Sequence, residues 1–439
     1  MQMESEYSIK LRLEKLPRSK LFVSSCTLCL LFTLSTLLSF LVAPEMMKDL
    51  SVSIYKCSEK NHRDCYTTND VHEVWEAMIP SVSRLGQFLY MAATPHSSKS
   101  IEFNLTMDIE VLHESQILQK RSLEKLITCG RSSCNSVKIF YMPYLEYNSY
   151  SVVIKHKTPI LSDYVEIELR HVNEAFTKYQ IISKYTFFVM AIASFVQFLV
   201  FTTRVPRSLW SFECKLLFPL GVSVIIFNEP LLLVTIYLMS PFWSAFSVFS
   251  NTQFLAVLLL FWFYELHHYR DSKFNLIWII IESAIVGLLF LLSFTVYLYL
   301  HEEHRNNPTY DWQSDLNKTY KEVFIGIIVI CSVLIFWIFI LGVLSIAHIK
   351  RLSKREKVIK VLSLLMIVFT FVGVFIGGFQ PLPRTGSIFL IFLSGFNFYV
   401  LALLYLYSPT QESILEYQQE KSIEYSLIKF HQEDSIELT

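Results

Sequence analysis

Residues 323–347 read VFIGIIVICSVLIFWIFILGVLSIA, a run of twenty-five residues without a single charge. As an α-helix rising 1.5 Å per residue, the run is about 37 Å long, enough to cross a hydrocarbon core of about 30 Å. Working outward from it, seven further runs have the same character: Leu21 to Val42, Tyr185 to Thr203, Leu216 to Met239, Phe242 to Tyr264, Asn275 to Leu300, Val358 to Phe379 and Ser387 to Tyr407. The composition agrees, with 53% hydrophobic and 17% charged residues and a mean hydropathy of +0.41. That balance belongs to the membrane class, in contact with lipids. Acidic and basic residues cancel at 38 each, so no charge excess points to nucleic acid.

The chain therefore divides into a cytosolic N-terminus (1–20), a first span (21–42), a domain outside the cytosol (43–184), a seven-span membrane domain (185–407) and a tail (408–439). The fold class expected is an α-helical polytopic membrane protein of eight spans, a 1 + 7 bundle, with a small antiparallel β-sandwich. Lys15, Arg18 and Lys20 before the first span invite a signal-peptide reading. Its apolar stretch is too long for a signal h-region, and Ala43-Pro44 is a poor cleavage site, so it reads as an uncleaved anchor.

Charge sets the orientation, because Lys and Arg in short flanking loops stay in the cytosol. Sixteen line one side: Lys10, Arg12, Lys15, Arg18, Lys20, Arg204, Arg207, Lys215, Arg270, Lys273, Lys350, Arg351, Lys354, Arg355, Lys357 and Lys360. The short loops opposite carry four: Arg305, Lys318, Lys321 and Arg384. Both termini are thus expected in the cytosol and residues 43–184 in the lumen or outside the cell. The sequons Asn104-Leu-Thr and Asn317-Lys-Thr fall on that outer side. So do Cys57, Cys65, Cys129 and Cys134, which an oxidising compartment lets pair. Three pairings are open; Cys57 with Cys65 and Cys129 with Cys134 are favoured, since each closes a short polar loop. Cys26, Cys29, Cys214 and Cys331 lie in or beside spans and read as apolar filler.

Between residues 99 and 172 the pattern shifts to short, near-alternating runs rich in β-branched and aromatic residues. Strands are expected over Ser100 to Val111, Ser136 to Met142, Tyr150 to His156 and Tyr164 to His171, turning at Pro143, Asn148-Ser149 and Pro159. Val74 to Met91 reads as helix or strand. Tyr141, Tyr144, Tyr147 and Tyr150 read first as sandwich core and edge.

Within the spans, ionisable groups are costly and are candidate sites by default. Glu229 is the clearest, flanked by Asn228 and by Pro230, whose missing N–H frees a carbonyl one turn back. A polar, partly unwound site and a structural knot both fit this trio. Asn397 and Gln197 suit helix-to-helix hydrogen bonds, and Gly373 with Gly377 suits close packing. His267-His268 with Glu265, and His301 with His304, lie at span ends without a third partner at ligand spacing. No G-x-S-x-G, P-loop or dinucleotide fingerprint occurs, so neither an enzyme nor a cofactor is expected.

Several segments carry a resemblance when taken in order: Leu126-Ile-Thr-Cys-Gly with Cys134, Tyr144-Leu-Glu-Tyr-Asn-Ser-Tyr-Ser-Val-Val-Ile, Asn173-Glu-Ala-Phe, Phe227-Asn-Glu-Pro, Leu258-Leu-Leu-Phe-Trp, Asn397-Phe-Tyr and Tyr407-Ser-Pro. Over residues 100–410 the chain resembles Wntless-like multi-span membrane proteins, in particular the transmembrane protein 181 branch. One departure is Glu282, near the start of span five, where the resemblance implies a basic residue. The resemblance implies a Golgi, endosomal and plasma-membrane receptor that binds a secreted or lipidated protein through its lumenal domain and bundle. In the tail, Tyr425-Ser-Leu-Ile428 fits the Tyr-x-x-apolar pattern that clathrin adaptors bind as an extended strand. Two other classes compete. A G-protein-coupled-receptor-like signalling receptor shares the span count, but Asp-Arg-Tyr and Asn-Pro-x-x-Tyr are missing from the span ends. A transporter would show broken helices in two related halves, and only span three reads as broken.

The expected topology has a direct test. Glycosidase should collapse the mass in two steps, lost singly in Asn104→Gln and Asn317→Gln, and terminal tags should be digested in sealed vesicles whose cytosolic face is outward. A tag protected from protease would contradict the orientation.

Overall fold

In the computed structural model the described residues are 12–15, 17–56, 65–66, 74–79, 83–114, 116–130, 134–143, 145–156, 164–238, 240–270, 276–306, 318–348, 354–379 and 386–419. A short helix α1 (Arg12–Lys15) and a long helix α2 (Arg18–Val42) lead into nine strands: β1 (Met47–Lys56), β2 (Cys65–Tyr66), β3 (Val74–Ile79), β4 (Leu89–His96), β5 (Glu102–His113), β6 (Gln116–Thr128), β7 (Val137–Met142), β8 (Tyr150–His156) and β9 (Tyr164–Val172). The helical part follows as α3 (Glu174–Thr202), α4 (Phe212–Phe227), α5 (Leu232–Leu238), α6 (Pro241–Arg270), α7 (Leu276–Asn306), α8 (Lys318–His348), α9 (Lys354–Phe379) and α10 (Gly386–Leu406). A last helix, α11, covers 411–419.

The strands form two sheets, ordered β2-β1-β9-β4-β7 and β3-β8-β5-β6, antiparallel except for the β1–β2 pair. Inward side chains from both sheets make one core, with Met91 of β4, Ile139 of β7, Met107 of β5 and Val152 of β8 sealed from solvent. This is the sandwich expected from the alternation, larger than the four strands read there. The stretch Val74 to Met91 resolves into β3 and β4, and β6, whose face is mostly exposed, gives no inward alternation to read. On the outer face of β5, Glu110 accepts from Lys120 and Lys155, each at 2.7 Å. Those hydrogen bonds hold its carboxyl below the usual carboxylate range.

Among the described residues, six helical segments are long and apolar enough to cross a membrane: Glu174–Thr202, Phe212–Leu238, Pro241–His267, Ile277–Glu303, Lys321–Ser345 and Gly386–Leu406. The runs expected as spans one and seven are also helical, with shorter apolar stretches, Leu30–Val42 and Ile359–Val372. On α8 the exposed apolar residues Ile325, Val329, Val333 and Phe336 form an outward stripe at helical spacing. Lipid is the solvent such a surface fits, whereas in water it would be a large exposed patch.

The sandwich sits on the bundle with almost no linker. Its first and last strands pair at the base, Met47 opposite Val172, and a single residue, Asn173, separates β9 from α3. Asn173 caps α3, its side chain accepting from Ala175 N at 3.1 Å, the role that favours Asn there. Met47, Val172 and Phe176 pack as one small cluster. At the opposite end α11 lies against the loop after α3, burying Ile414 beside Val205, and Lys15 reaches Glu416 at 2.7 Å.

Candidate functional site

Helix α3, which holds the second expected span, begins eleven residues before the apolar run that marks it in the sequence, and Lys184 on it is buried. The third span breaks after Phe227: Asn228 N still reaches Val224 O at 3.3 Å, Glu229 N turns to Ile226 O at 2.9 Å, and the chain resumes as α5 at Leu232. Glu229 adopts a φ of 47°, left-handed backbone uncommon outside glycine and often found where function holds it in place. The carbonyl of Pro230 is satisfied by the Tyr185 hydroxyl at 2.9 Å.

At that break Lys184 Nζ lies 2.7 Å from Glu229 Oε1, and both side chains are almost fully buried, at 6% and 4% exposure. Asn251 of α6 donates to the same oxygen at 2.7 Å. Next to Glu229 in the chain, Asn228 forms a reciprocal amide pair with Asn397, the two donating to each other at 2.8 and 3.0 Å. Each amide also donates to the backbone of its own helix. Four helices are thus joined through one polar layer. Isolated, either charge would cost several kcal/mol in such surroundings; paired and hydrogen-bonded, the two are tolerated.

This layer floors a cavity of about 400 Å³ between the sandwich and the bundle. Its walls come from Arg84, Gln87 and Pro143 on the sandwich side and from Gln180, Lys184, Glu229, Ser247 and Asn251 on the bundle side. Gln87 ties the two parts, donating to Thr177 Oγ1 at 3.2 Å and Gln180 Oε1 at 3.3 Å. It too has a positive φ, of 58°.

A second polar cluster lies in the other half of the bundle. Trp262 donates to the Tyr399 hydroxyl at 3.1 Å, Ser363 bonds Tyr399 at 2.9 Å and Glu265 Oε1 at 3.2 Å, and Lys360 donates to Ser345 O at 2.9 Å. Glu282 stands apart from the Glu229 layer. It meets His267 Nε2 at 2.6 Å and accepts from the Trp337 indole at 2.9 Å, so where a basic residue was implied, an acid is matched by a histidine from α6. A separate apolar cavity of about 220 Å³ opens between α6, α7, α8 and α9, lined by leucines and by Trp262, Phe290 and Phe371.

Of the residues singled out in the sequence, Asn228, Glu229, Pro230 and Asn397 are brought together. Gln197 instead faces outward, with no hydrogen bond among the described residues. Cys129 and Cys134 form a disulfide that clips the end of β6 to β4, where Cys134 N reaches Pro95 O at 3.2 Å. Asn104 is exposed on β5. Tyr150 is buried and Tyr147 stacks on His113 at 4.1 Å, the core-and-edge role. Cys57, Tyr144, Asn317, Tyr425 and Ile428 lie outside the described residues, as do the side chain of Cys65 and the packing around Gly373 and Gly377. Lys184 and Asn251 were not singled out. Asn173 as a cap placed eleven residues upstream is the signal that reveals Lys184 as helical and internal. Among the described residues no group of three or more His, Cys, Asp or Glu is arranged to hold a metal ion.

Two comparisons with known proteins bear on this arrangement. The family described as Wntless-like, transmembrane domain, matches residues 173–411, from the cap of α3 into α11. Human transmembrane protein 181 is 22% identical over 332 residues, covering 71% of this chain and 69% of its own length.

The buried pair gives a stability prediction. Glu229→Leu strands the Lys184 ammonium and should cost about 3–5 kcal/mol, lowering the melting temperature of detergent-purified protein. Lys184→Met combined with Glu229→Leu should recover most of that loss. Additive losses in the double variant would show that the pair is not a unit.

Proposed function

We propose that this chain, which belongs to the Wntless-like transmembrane-domain family, is a non-enzymatic receptor that carries a secreted or lipidated protein along the secretory and endocytic pathway. The observation that carries the reading is the apolar cavity between α6, α7, α8 and α9, whose lining is hydrocarbon apart from small groups such as Thr252, Ser293 and Thr370. An acyl chain placed there leaves water or the bilayer interface, each buried methylene adding about 0.8 kcal/mol. The sandwich, joined to α3 through the single residue Asn173, offers the protein-facing surface. In this reading residues 43–184 face the lumen, all eight expected spans cross the bilayer, and Tyr425 with Ile428 returns the receptor from the surface through clathrin adaptors.

The test is a fatty-acyl probe with a photoactivatable diazirine, applied to the full chain in nanodiscs. Crosslinks should map to peptides of α6 and α8, and Ala256→Trp, which fills the cavity, should cut labelling at least fivefold with the fold intact. Labelling unchanged by Ala256→Trp, or confined to outward stripes such as Ile325 and Val329, would remove the acyl site.

A further inference from the structure

The cavity between sandwich and bundle has a chemistry of its own. Glu229 spends one oxygen on both of its partners: Lys184 Nζ and Asn251 Nδ2 each meet Oε1. Oε2 has no hydrogen bond or ion pair among the described residues, in a residue only 3% exposed that borders the cavity. That oxygen is not among the sealed, unpartnered polar atoms of the described residues; it stays open to the cavity, where a ligand N–H can take the place of water in a charge-assisted hydrogen bond. Arg84 lines the same cavity from the sandwich side. It is exposed, and its guanidinium has no partner among the described residues.

The formal charge of the lining selects further. Arg84 and Lys184 against Glu229 leave one net positive charge. A simple cation would satisfy Oε2 but add to that excess. A simple anion would suit Arg84 but leave Oε2 bare and compete with Glu229 for Lys184. A ligand carrying an ammonium together with an excess of acid groups answers both demands. The volume of about 400 Å³ falls within the usual range of small-molecule sites. The amides of Gln87 and Gln180 and the hydroxyl of Ser247 supply the polar lining such a molecule needs. Gln87 and Glu229, two of the three non-glycine residues with positive φ among the described residues, sit on opposite walls. That is the kind of backbone strain expected where a site is held in shape.

We propose that the junction cavity is a binding site for a small amine-bearing anion, its ammonium donating to Glu229 Oε2 and its acid group meeting the Arg84 guanidinium. Such chemistry occurs free, as in O-phosphoserine, and on a membrane surface, as the phosphatidylserine headgroup. The site is separate from the apolar cavity and does not rest on the cargo reading.

The test uses the full chain in nanodiscs, followed by thermal unfolding. In phosphatidylcholine discs, free O-phospho-L-serine raising the melting temperature marks a soluble ligand. A rise on replacing part of the phosphatidylcholine by phosphatidylserine, without response to the free compound, marks the headgroup. Either response should be weakened at least tenfold in apparent affinity by Arg84→Ala and by Glu229→Gln. Should Glu229→Gln fail to fold, the exposed Arg84→Ala decides alone. Phosphocholine, which has no ammonium N–H, should give no shift, and the acyl crosslink described above should be unaffected by Arg84→Ala. No response to either source, an equal response to phosphocholine, or a response undiminished in Arg84→Ala would overturn the proposal.

Discussion

The membrane half of this molecule depends on keeping a nearly buried charge pair, Lys184 with Glu229, matched. The two face each other at 2.7 Å, and Asn251 supplies a further donor to the same carboxylate oxygen. That demand sets the rest. It requires α3 to run far enough before its apolar stretch to carry Lys184 inward. It requires the third span to break so that Glu229 can turn toward α3. And it places the Asn228–Asn397 amide pair next to Glu229 in the chain, tying α4 to α10 where the backbone is interrupted.

The same break couples the two halves of the protein. Asn173 alone separates β9 from α3, the helix that bears Lys184. Gln87 bonds Thr177 and Gln180 on the first turns of that helix, closing the joint from the side. The sandwich and the bundle thus meet at one helix and share the walls of one cavity. The polar joint and the hydrocarbon pocket share α6, where Asn251 belongs to the first and its neighbour Thr252 lines the second.

What the sequence made legible follows from which signals are local. Apolar runs and alternation are local, so the spans from the second to the sixth, the eighth, and strands β5, β7, β8 and β9 could be placed. Pro230 next to an acid is also local, and the break and the Asn228–Glu229 pair could be anticipated from it. The Cys129–Cys134 bridge, five residues apart, was legible for the same reason. Partners brought together by the fold were not. Lys184 looked like the last residue of a soluble domain, because a basic residue in front of an apolar run normally marks the membrane edge. Asn251 is one amide among many polar residues at the start of α6. Glu265 looked like a span-end charge, yet it is buried against Ser363. Strand β6 escaped because its edge position exposes nearly all of its side chains, leaving no alternation to detect.

The central claim is that a polar floor built on Lys184 and Glu229 lies inside the bundle yet opens toward the sandwich side. Cysteine accessibility in intact cells tests it directly. Ser247→Cys, on the cavity wall, should react with a membrane-impermeant thiol reagent added from outside, while Leu291→Cys, on the outward face of α7, should not. Reaction at Ser247→Cys only after the cytosolic face is exposed, or no reaction from either side, would contradict it.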